Sequence, residues 1–298
     1  MPELPEVETV RRGLAGVFEG RRLTAVKALR RDLRFPLPTG FSAWLEGRTV
    51  AILGRRGKFL LFGLEDGATL IAHLGMSGRF RIFDSPPPPL ERHDHVIFET
   101  NGGVTVRFND PRRFGFMDIA EKDALCRHPM LANLGPEPLA NDFNGPGLAA
   151  SLKGRRAPIK AALLNQSVVA GIGNIYACEA LFRARLSPRR KAATVQGGRA
   201  DRLSQAIKAV LTDAIAAGGS SLRDYRRPDG ELGYFQHSFA VYGRQGQACP
   251  GCTCDPAQTG GIRRMTQSGR ATFYCAGRQR CPLLPQYVSP GESADRLG

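Results

Sequence analysis

The hydrophobic period of the chain changes once along its length, and this change constrains the fold more than any other feature. Between residue 20 and about residue 120, short apolar runs alternate with turn residues, at 23–29, 49–53, 58–64, 68–73, 78–83, 93–99, 104–109 and 114–119. Such regular spacing is typical of a β-sandwich or barrel. Beyond residue 150 the apolar residues recur at helical spacing, as in 202–217. The sequence therefore predicts an α+β protein of two domains, with an N-terminal β-sandwich flanked by helices.

The 298 residues divide by composition into five predicted segments. Residues 1–132 form the N-terminal domain, and residues 133–150, rich in Gly, Pro and Asn, form a linker. Residues 151–240 form a helical domain, and residues 241–285 contain a cysteine-rich hairpin. Residues 286–298 are expected to be a disordered tail.

The start of the chain places a proline second, so that loss of Met1 would expose a secondary amine. A backbone amine has a pKa of roughly 7.7–8.0, far below that of lysine, so a usable fraction is neutral at pH 7. Such an amine condenses with an aldehyde carbon to an iminium ion, an electron sink. Pro5, Glu6 and the apolar spacing that follows predict a helix, whose positive end would lower the pKa of the Pro2 amine. A plain helix start is the alternative interpretation.

The charge balance points to a polyanionic partner. The chain has 42 Lys and Arg against 27 Asp and Glu, a net charge of +15. An arginine-rich composition that follows from a GC-rich genome is the alternative explanation. No transmembrane run and no signal peptide are visible, so we expect a cytoplasmic, nucleoid-associated protein without a membrane partner.

Cysteine is concentrated near the C-terminus. Five of the seven cysteines lie in the last fifty residues: Cys249, Cys252, Cys254, Cys275 and Cys281. In a cytoplasmic chain this clustering indicates a metal site rather than disulfides. His93 and His95 would share one face of a strand, but no carboxylate or cysteine pattern accompanies them, so a metal site there is the weaker hypothesis.

Several motifs, spread over nearly the whole length, resemble one enzyme family. They are MPELPEVETVRRGL, GRRGKFLLF, HLGMSGRFRI, NDPRRFG, LGPEPL, LLNQSVVAGIGNIYACEALF, SLRDYRRPDGELGYFQ, VYGRQGQACPGC and QSGRATFYC. Together they are similar to the bacterial formamidopyrimidine-DNA glycosylases. The resemblance implies a bifunctional glycosylase and abasic-site lyase that excises 8-oxoguanine and formamidopyrimidines from duplex DNA, acting as a monomer in base excision repair. The alternatives are an endonuclease VIII-like preference for oxidised pyrimidines and a non-catalytic zinc-ribbon DNA-binding protein.

The resemblance also implies the catalytic residues. Pro2 would attack the sugar C1′ of the damaged nucleotide and hold the sugar as an iminium, while Glu3 would act as the acid. Lys58 would supply a proton or a positive charge during base loss and β-elimination. Arg270, at the tip of a hairpin, would grip the phosphates and assist δ-elimination.

A base inside a duplex must be flipped out before it can be excised, so the family also has residues that fill the vacated space. Met76, Arg112 and Phe114 resemble these, and residues 218–237 resemble the loop that closes over the flipped purine. Residues 158–185 are similar to the family's helix-two-turns-helix. The phosphate contacts implied by the resemblance are Asn174, Lys160, Arg155 and His93.

The cysteine spacing departs from the family pattern. Members usually end in C-x2-C-x16-C-x2-C, a zinc-ribbon-like hairpin, whereas here the middle spacing is 22 residues and Arg278 stands where the fourth cysteine is expected. We expect one structural zinc per chain, held by Cys249, Cys252, Cys275 and Cys281, because tetrahedral zinc tolerates loops of variable length. The alternatives are that Cys254 is the fourth ligand or that the metal has been lost.

Overall fold

The structure, a computed structural model, describes residues 2–84, 86–220, 233–253 and 255–280. Four sequence predictions lie outside these ranges: Cys254, Cys281, most of the loop at 218–237 and the tail at 286–298. The helices are α1 (Leu4–Phe18), α2 (Phe41–Leu45), α3 (Gly145–Leu152), α4 (Ile159–Leu164), α5 (Asn174–Arg183), α6 (Gly198–Ala216) and α7 (Pro256–Thr259). No helix in this part of the chain is both long enough and apolar enough to cross a membrane.

The N-terminal domain is built on eight antiparallel strands, one for each apolar run in the sequence. They are β1 (Arg21–Ala28), β2 (Thr49–Arg56), β3 (Phe59–Leu64), β4 (Thr69–His73), β5 (Arg79–Phe83), β6 (Asp94–Thr100), β7 (Thr105–Asn109) and β8 (Phe116–Ala120). The spatial order is β5-β7-β6-β1-β2-β3-β4-β8. β1 joins two halves, because Arg21 and Arg22 pair with β2 while the following residues pair with β6. The α+β architecture predicted from the sequence is confirmed.

Helix α1 covers this sheet with one apolar stripe. Val7, Val10, Leu14 and Phe18 are buried, at the spacing of a single helix face. The Phe18 ring lies 5.2 Å from Phe62 and 5.9 Å from Phe98, edge to face in both pairs. The helix is thereby fixed on the sandwich, with its N-terminus at the border of the second domain.

The helical domain has its own core, and the start of α1 is inserted into it. Leu4 is fully buried in the cluster that includes Leu163, Leu181 and Leu203 from α4, α5 and α6. Helix α3 begins at Gly145, inside the segment that the sequence analysis assigned to the linker. The second residue of the chain is therefore placed between the two domains.

A two-stranded hairpin packs on α5. Strands β9 (Arg263–Gln267) and β10 (Arg270–Tyr274) are joined by Ser268 and Gly269, which both have positive φ angles, as a tight hairpin turn requires. Phe273 shares a buried cluster with Cys178 and Phe182 of α5. Arg270 is the first residue after the turn and is exposed.

Candidate active site

The N-terminal segment brings a carboxylate to the junction of two helices. Glu3 and Glu6 form a capping box at the start of α1, and the Glu3 carboxylate also accepts the backbone N–H groups of Ile175 at 2.9 Å and Tyr176 at 3.4 Å. These two N–H groups belong to the first turn of α5. A Cβ on Gly173 would lie 2.3 Å from the Glu3 carboxyl carbon, so glycine is required for this approach. Pro2, directly before Glu3, is buried.

Lys58 follows the β2–β3 turn and is buried near the same carboxylate. Burial lowers the pKa of Lys58, with the nearby charge of Glu3 opposing this and that of Arg270 adding to it. Burial also raises the pKa of Glu3, and Lys58 opposes that shift. Shifts in these directions bring the pKa values of the acid and the base closer together, which favours proton transfer between them. The structure thus brings Glu3, Lys58 and Arg270 together beside Pro2.

Glu6 is a site residue that the sequence analysis did not assign. One carboxylate oxygen accepts the Glu3 backbone N–H at 2.8 Å, and the other accepts the Tyr176 hydroxyl at 2.5 Å and the Ser220 N–H at 2.8 Å. Burial and the Glu6 charge raise the pKa of Tyr176 well above its usual value, so that the hydroxyl remains a donor. The E-x-x-E spacing at the helix start was the available signal, since it is that of a capping box.

His73 is a second residue that sequence reasoning missed, although it lies in the quoted HLGMSG motif. Its ring packs near Phe59 and Phe116, and its Nδ1 accepts the Gly75 N–H at 3.0 Å. Burial, then the charges of Lys58 and Arg34, lower the pKa of His73 to about 4. The ring is therefore neutral at pH 7, and its proton is on Nε2.

Met76, Arg112 and Phe114 lie on two adjoining loops. Met76 is 36% exposed and Phe114 is 41% exposed, and the Arg112 guanidinium lies 4.8 Å from the centre of the Phe114 ring. The loops abut so closely that a Cβ on Gly75 would lie 2.2 Å from the Phe114 carbonyl carbon. Large apolar side chains left exposed in this way favour a contact surface over core packing.

The Asp110 side chain supports this surface from below. It accepts the Ser77 hydroxyl at 2.5 Å and the Gly115 N–H at 2.8 Å. The Asp110 carbonyl contacts the buried His95 ring at 2.9 Å, and His93 lies beside it with ring centres 6.3 Å apart. In the described ranges the only group of three metal-ligating side chains is formed by cysteines, so the histidine pair is not part of such a group.

Lys160 and Asn174 attach the hairpin to the helical domain. The Lys160 ammonium is fully buried and donates to Asn174 Oδ1 at 2.6 Å, Thr272 Oγ1 at 2.7 Å and the Ala271 carbonyl at 3.1 Å. Asn174 Nδ2 donates to the same carbonyl at 2.9 Å. A direct phosphate contact by Lys160 would require it to give up these bonds. Arg155, also implied as a phosphate contact, is half-buried and donates to the Ser151 carbonyl at 2.8 Å.

Three cysteine sulfurs gather at the base of the hairpin. The Sγ atoms of Cys249, Cys252 and Cys275 all lie within 4.8 Å of one another. The backbone N–H groups of Gly251 and Arg278 approach the sulfurs of Cys249 and Cys275 at 3.4 Å each. Cys249 and Cys275 are free thiols, each approached by a backbone N–H, as suits thiolate ligands of a metal ion. Cys252 is in a disulfide, so it could join them as a ligand only after that bond is reduced. The Arg278 guanidinium is turned away and donates to the Gly251 carbonyl at 2.5 Å.

Two family models match most of the chain. Residues 1–117 match the formamidopyrimidine-DNA glycosylase N-terminal domain, and residues 134–226 match the formamidopyrimidine-DNA glycosylase H2TH domain. The chain belongs to the formamidopyrimidine-DNA glycosylase family. As a member of this family, it is a DNA glycosylase of base excision repair.

Individual members of the formamidopyrimidine-DNA glycosylase family match this chain over nearly its full length. The formamidopyrimidine-DNA glycosylase of Rhodospirillum centenum is 60% identical, covering 94% of this chain and all of the relative. The crystal structure of the MutM (Fpg) protein from Thermus thermophilus superposes with a TM-score of 0.81 at 44% identity, over 93% of this chain and 98% of that one. Wild-type Lactococcus lactis Fpg in complex with DNA containing N7-benzyl-Fapy-dG gives 0.83 at 32% identity, over 94% and 100% of the two chains.

Proposed function

We propose that this glycosylase excises oxidised purines from duplex DNA with the Pro2 nitrogen as its nucleophile, and then cleaves the strand by β,δ-elimination. The observation that carries the proposal is the position of Pro2, which is buried beside a carboxylate and a lysine with opposed pKa shifts. A complex of a relative with DNA that contains a formamidopyrimidine lesion supports the substrate class.

The chemistry follows from the residues present. The Pro2 nitrogen attacks C1′, the bond to the base breaks, and the base departs with that electron pair and with a proton from the Lys58 ammonium. Glu3, whose pKa is raised by burial, takes the proton that the Pro2 nitrogen loses and delivers it to the sugar ring oxygen as the ring opens to the iminium. The iminium then draws electrons from C2′, so that a base removes a proton there and the 3′ phosphate departs. Lys58, neutral once it has protonated the base and with its pKa lowered by burial, takes that proton, so both base loss and β-elimination depend on it.

The surrounding residues would hold the DNA. Arg270 and Asn174 would bind phosphates near the lesion, with the hairpin fixing the approach of Arg270, and His93 and Arg155 are proposed as further phosphate contacts. Met76, Arg112 and Phe114 would fill the space left by the flipped base, with Arg112 facing the orphaned cytosine. We propose Lys160 as an indirect contributor, which orders Asn174 and β10.

The test is borohydride trapping on a duplex with 8-oxoguanine opposite cytosine. We expect one shifted protein–DNA band, an adduct on the N-terminal peptide, and phosphates on both sides of a one-nucleotide gap. An adduct on Lys58 alone would refute the nucleophile. Faster cleavage of duplexes with oxidised pyrimidines than of those with 8-oxoguanine would indicate the endonuclease VIII-like alternative.

We further propose one structural zinc per chain, with Cys281 as the fourth ligand beside Cys249, Cys252 and Cys275. Bound zinc would crosslink the base of the hairpin and thereby hold Arg270. We expect one zinc per purified chain, and Cys281→Ser to lower zinc content and damaged-DNA cleavage together, with Cys254→Ser nearly silent. Loss of zinc in Cys254→Ser but not in Cys281→Ser would reverse the assignment.

The protein is proposed to act as a monomer on DNA in the cytoplasm, in association with the nucleoid.

A further inference from the structure

The carboxylate of Glu137 holds the turn that precedes Lys58. Glu137 lies in LGPEPL, within the segment matched by the H2TH model, whereas the turn belongs to the N-terminal model. Its Oε1 accepts the Gly57 backbone N–H at 2.5 Å and Arg56 Nη1 at 3.0 Å, and its Oε2 accepts Arg55 Nη1 at 2.9 Å. One side chain thus bonds to each of the three residues directly before Lys58, across the border between the two domains.

The Gly57 turn is held on its other side by the turn between α4 and α5. Gly57 has a φ of +58°, and a Cβ there would meet Ala170 Cβ and Gly171 N at 3.5 Å. The Ala170 N–H donates to the Pro136 carbonyl at 3.1 Å, next to Glu137 in sequence, and the Gly171 carbonyl accepts the Leu4 N–H at 3.0 Å. The turn before Lys58 is therefore packed against the turn that receives the start of α1.

Arg55 extends the network to α1 itself. Its Nε donates to Glu8 Oε2 at 3.2 Å, while its Nη1 bonds to Glu137 and to the Gly57 carbonyl. Arg55 and Glu8 are mostly buried, so the bonds are little weakened by solvent. The Glu137 carboxylate is thereby connected both to the turn before Lys58 and to the helix that begins two residues after Pro2.

We propose that Glu137 is a positioning residue, which sets the location of the Lys58 ammonium relative to Glu3 and the Pro2 nitrogen. The inference rests on the proposed catalytic role of Lys58. Glu137 takes no proton from the substrate and does not contact it. Its effect arises because a displacement of about 1 Å at a reacting group can lower a rate about 100-fold.

The test compares Glu137→Ala with Glu137→Gln in single-turnover excision of 8-oxoguanine at saturating enzyme. The alanine variant loses all three acceptor bonds, and we expect its excision rate to fall about 100-fold, with DNA affinity changed less than about twofold. Glutamine retains an oxygen for the Gly57 N–H and should recover about tenfold of that loss. Glu99→Gln, which removes the same charge from the exposed Lys27–Glu99 pair, is the matched control and should match wild type.

A double-mutant cycle with Lys58→Ala separates positioning from general support of the fold. If Glu137 acts through Lys58, Glu137→Ala should add less than about a twofold loss in the Lys58→Ala background. An equal loss in both backgrounds, or a lowered melting temperature with an unchanged rate at saturating enzyme, would overturn the proposal. If the Lys58→Ala variant excises 8-oxoguanine as fast as wild type, the proposed role of Lys58 is refuted instead.

Discussion

At the residue scale, the site depends on burial acting in opposite directions on neighbouring groups. Burial raises the pKa of Glu3 and lowers the pKa values of Lys58 and His73. Each shift disfavours the charged form of its group. The attraction between the Glu3 and Lys58 charges offsets the shifts of these two residues only in part. Such shifts reduce stability and are typical of catalytic sites.

His73 gives a prediction for stability against pH. Its pKa is about 4 in the folded protein and about 6.5 in the unfolded chain, so the unfolded state binds more protons between these values. Stability from this residue is therefore complete above about pH 6.5 and is lost as the pH falls toward 4, at up to about 1.4 kcal/mol per pH unit. In urea unfolding at several pH values, the free energy of unfolding should depend less steeply on pH in His73→Gln than in wild type. The exposed His237→Gln should show the same pH dependence as wild type. An unchanged slope in His73→Gln would contradict the lowered pKa.

At the scale of elements, the hairpin is held to α4 and α5 by a buried polar cluster. Lys160 and Asn174 both contact the Ala271 carbonyl, and Lys160 also contacts Thr272. Arg270 is the residue directly before Ala271. The cluster thus connects the two-turn segment of the helical domain to the predicted phosphate-binding arginine.

Lys160→Met tests whether this lysine orders the hairpin or binds DNA. Methionine fills the space but removes the donor to Asn174 Oδ1 and Thr272 Oγ1, while the Ala271 carbonyl keeps its bond from Asn174, so the free energy of unfolding should fall by about 1–3 kcal/mol. Amide hydrogen exchange in β10 should accelerate, while the salt dependence of DNA binding stays as in wild type. The exposed Lys153→Met is the control. A weaker salt dependence without a change in stability would show that Lys160 contacts phosphate in the complex.

At the scale of the whole molecule, the net charge of +15 and the two-domain arrangement both favour the binding of duplex DNA. The proposed catalytic groups come from the start of α1, the β2–β3 turn and the hairpin, while the proposed space-filling residues come from loops of the sandwich. A duplex bound across both domains would displace counterions from many phosphates.

DNA binding should therefore depend steeply on salt. The slope of log K against log salt changes by about 0.9 for each phosphate contact, so Arg270→Ala should make it about 0.9 less steep. Arg112→Ala should change the slope little, because this residue is proposed to face the orphaned base. Its effect should appear as weaker discrimination among the four bases opposite the lesion. Fluorescence anisotropy over a series of salt concentrations measures the slope, and the same titration on four duplexes that differ only in the opposite base measures the discrimination. Equal loss on all opposite bases would remove Arg112 from that role.

The sequence by itself determined the strands and the main helices. All eight strands and helices α1 and α6 lie where apolar periodicity predicted them, because alternation and helical spacing are properties of a few consecutive residues. Helices α4 and α5 lie within 158–185, the segment that resembles the family's helix-two-turns-helix. The motifs also identified the family, which the comparisons confirm. Helix α2 was missed because its five residues are too short to show a period.

Only the tertiary structure decided which polar groups meet, and in what protonation state. The Glu3 carboxylate meets the N–H of Ile175, and the Glu137 carboxylate meets the N–H of Gly57, across long stretches of chain. Burial, which moves the pKa of His73 and keeps Lys160 from solvent, arises from neighbours contributed by several elements. Local sequence encodes the period of an element, whereas desolvation and charge contacts exist only once the elements are packed.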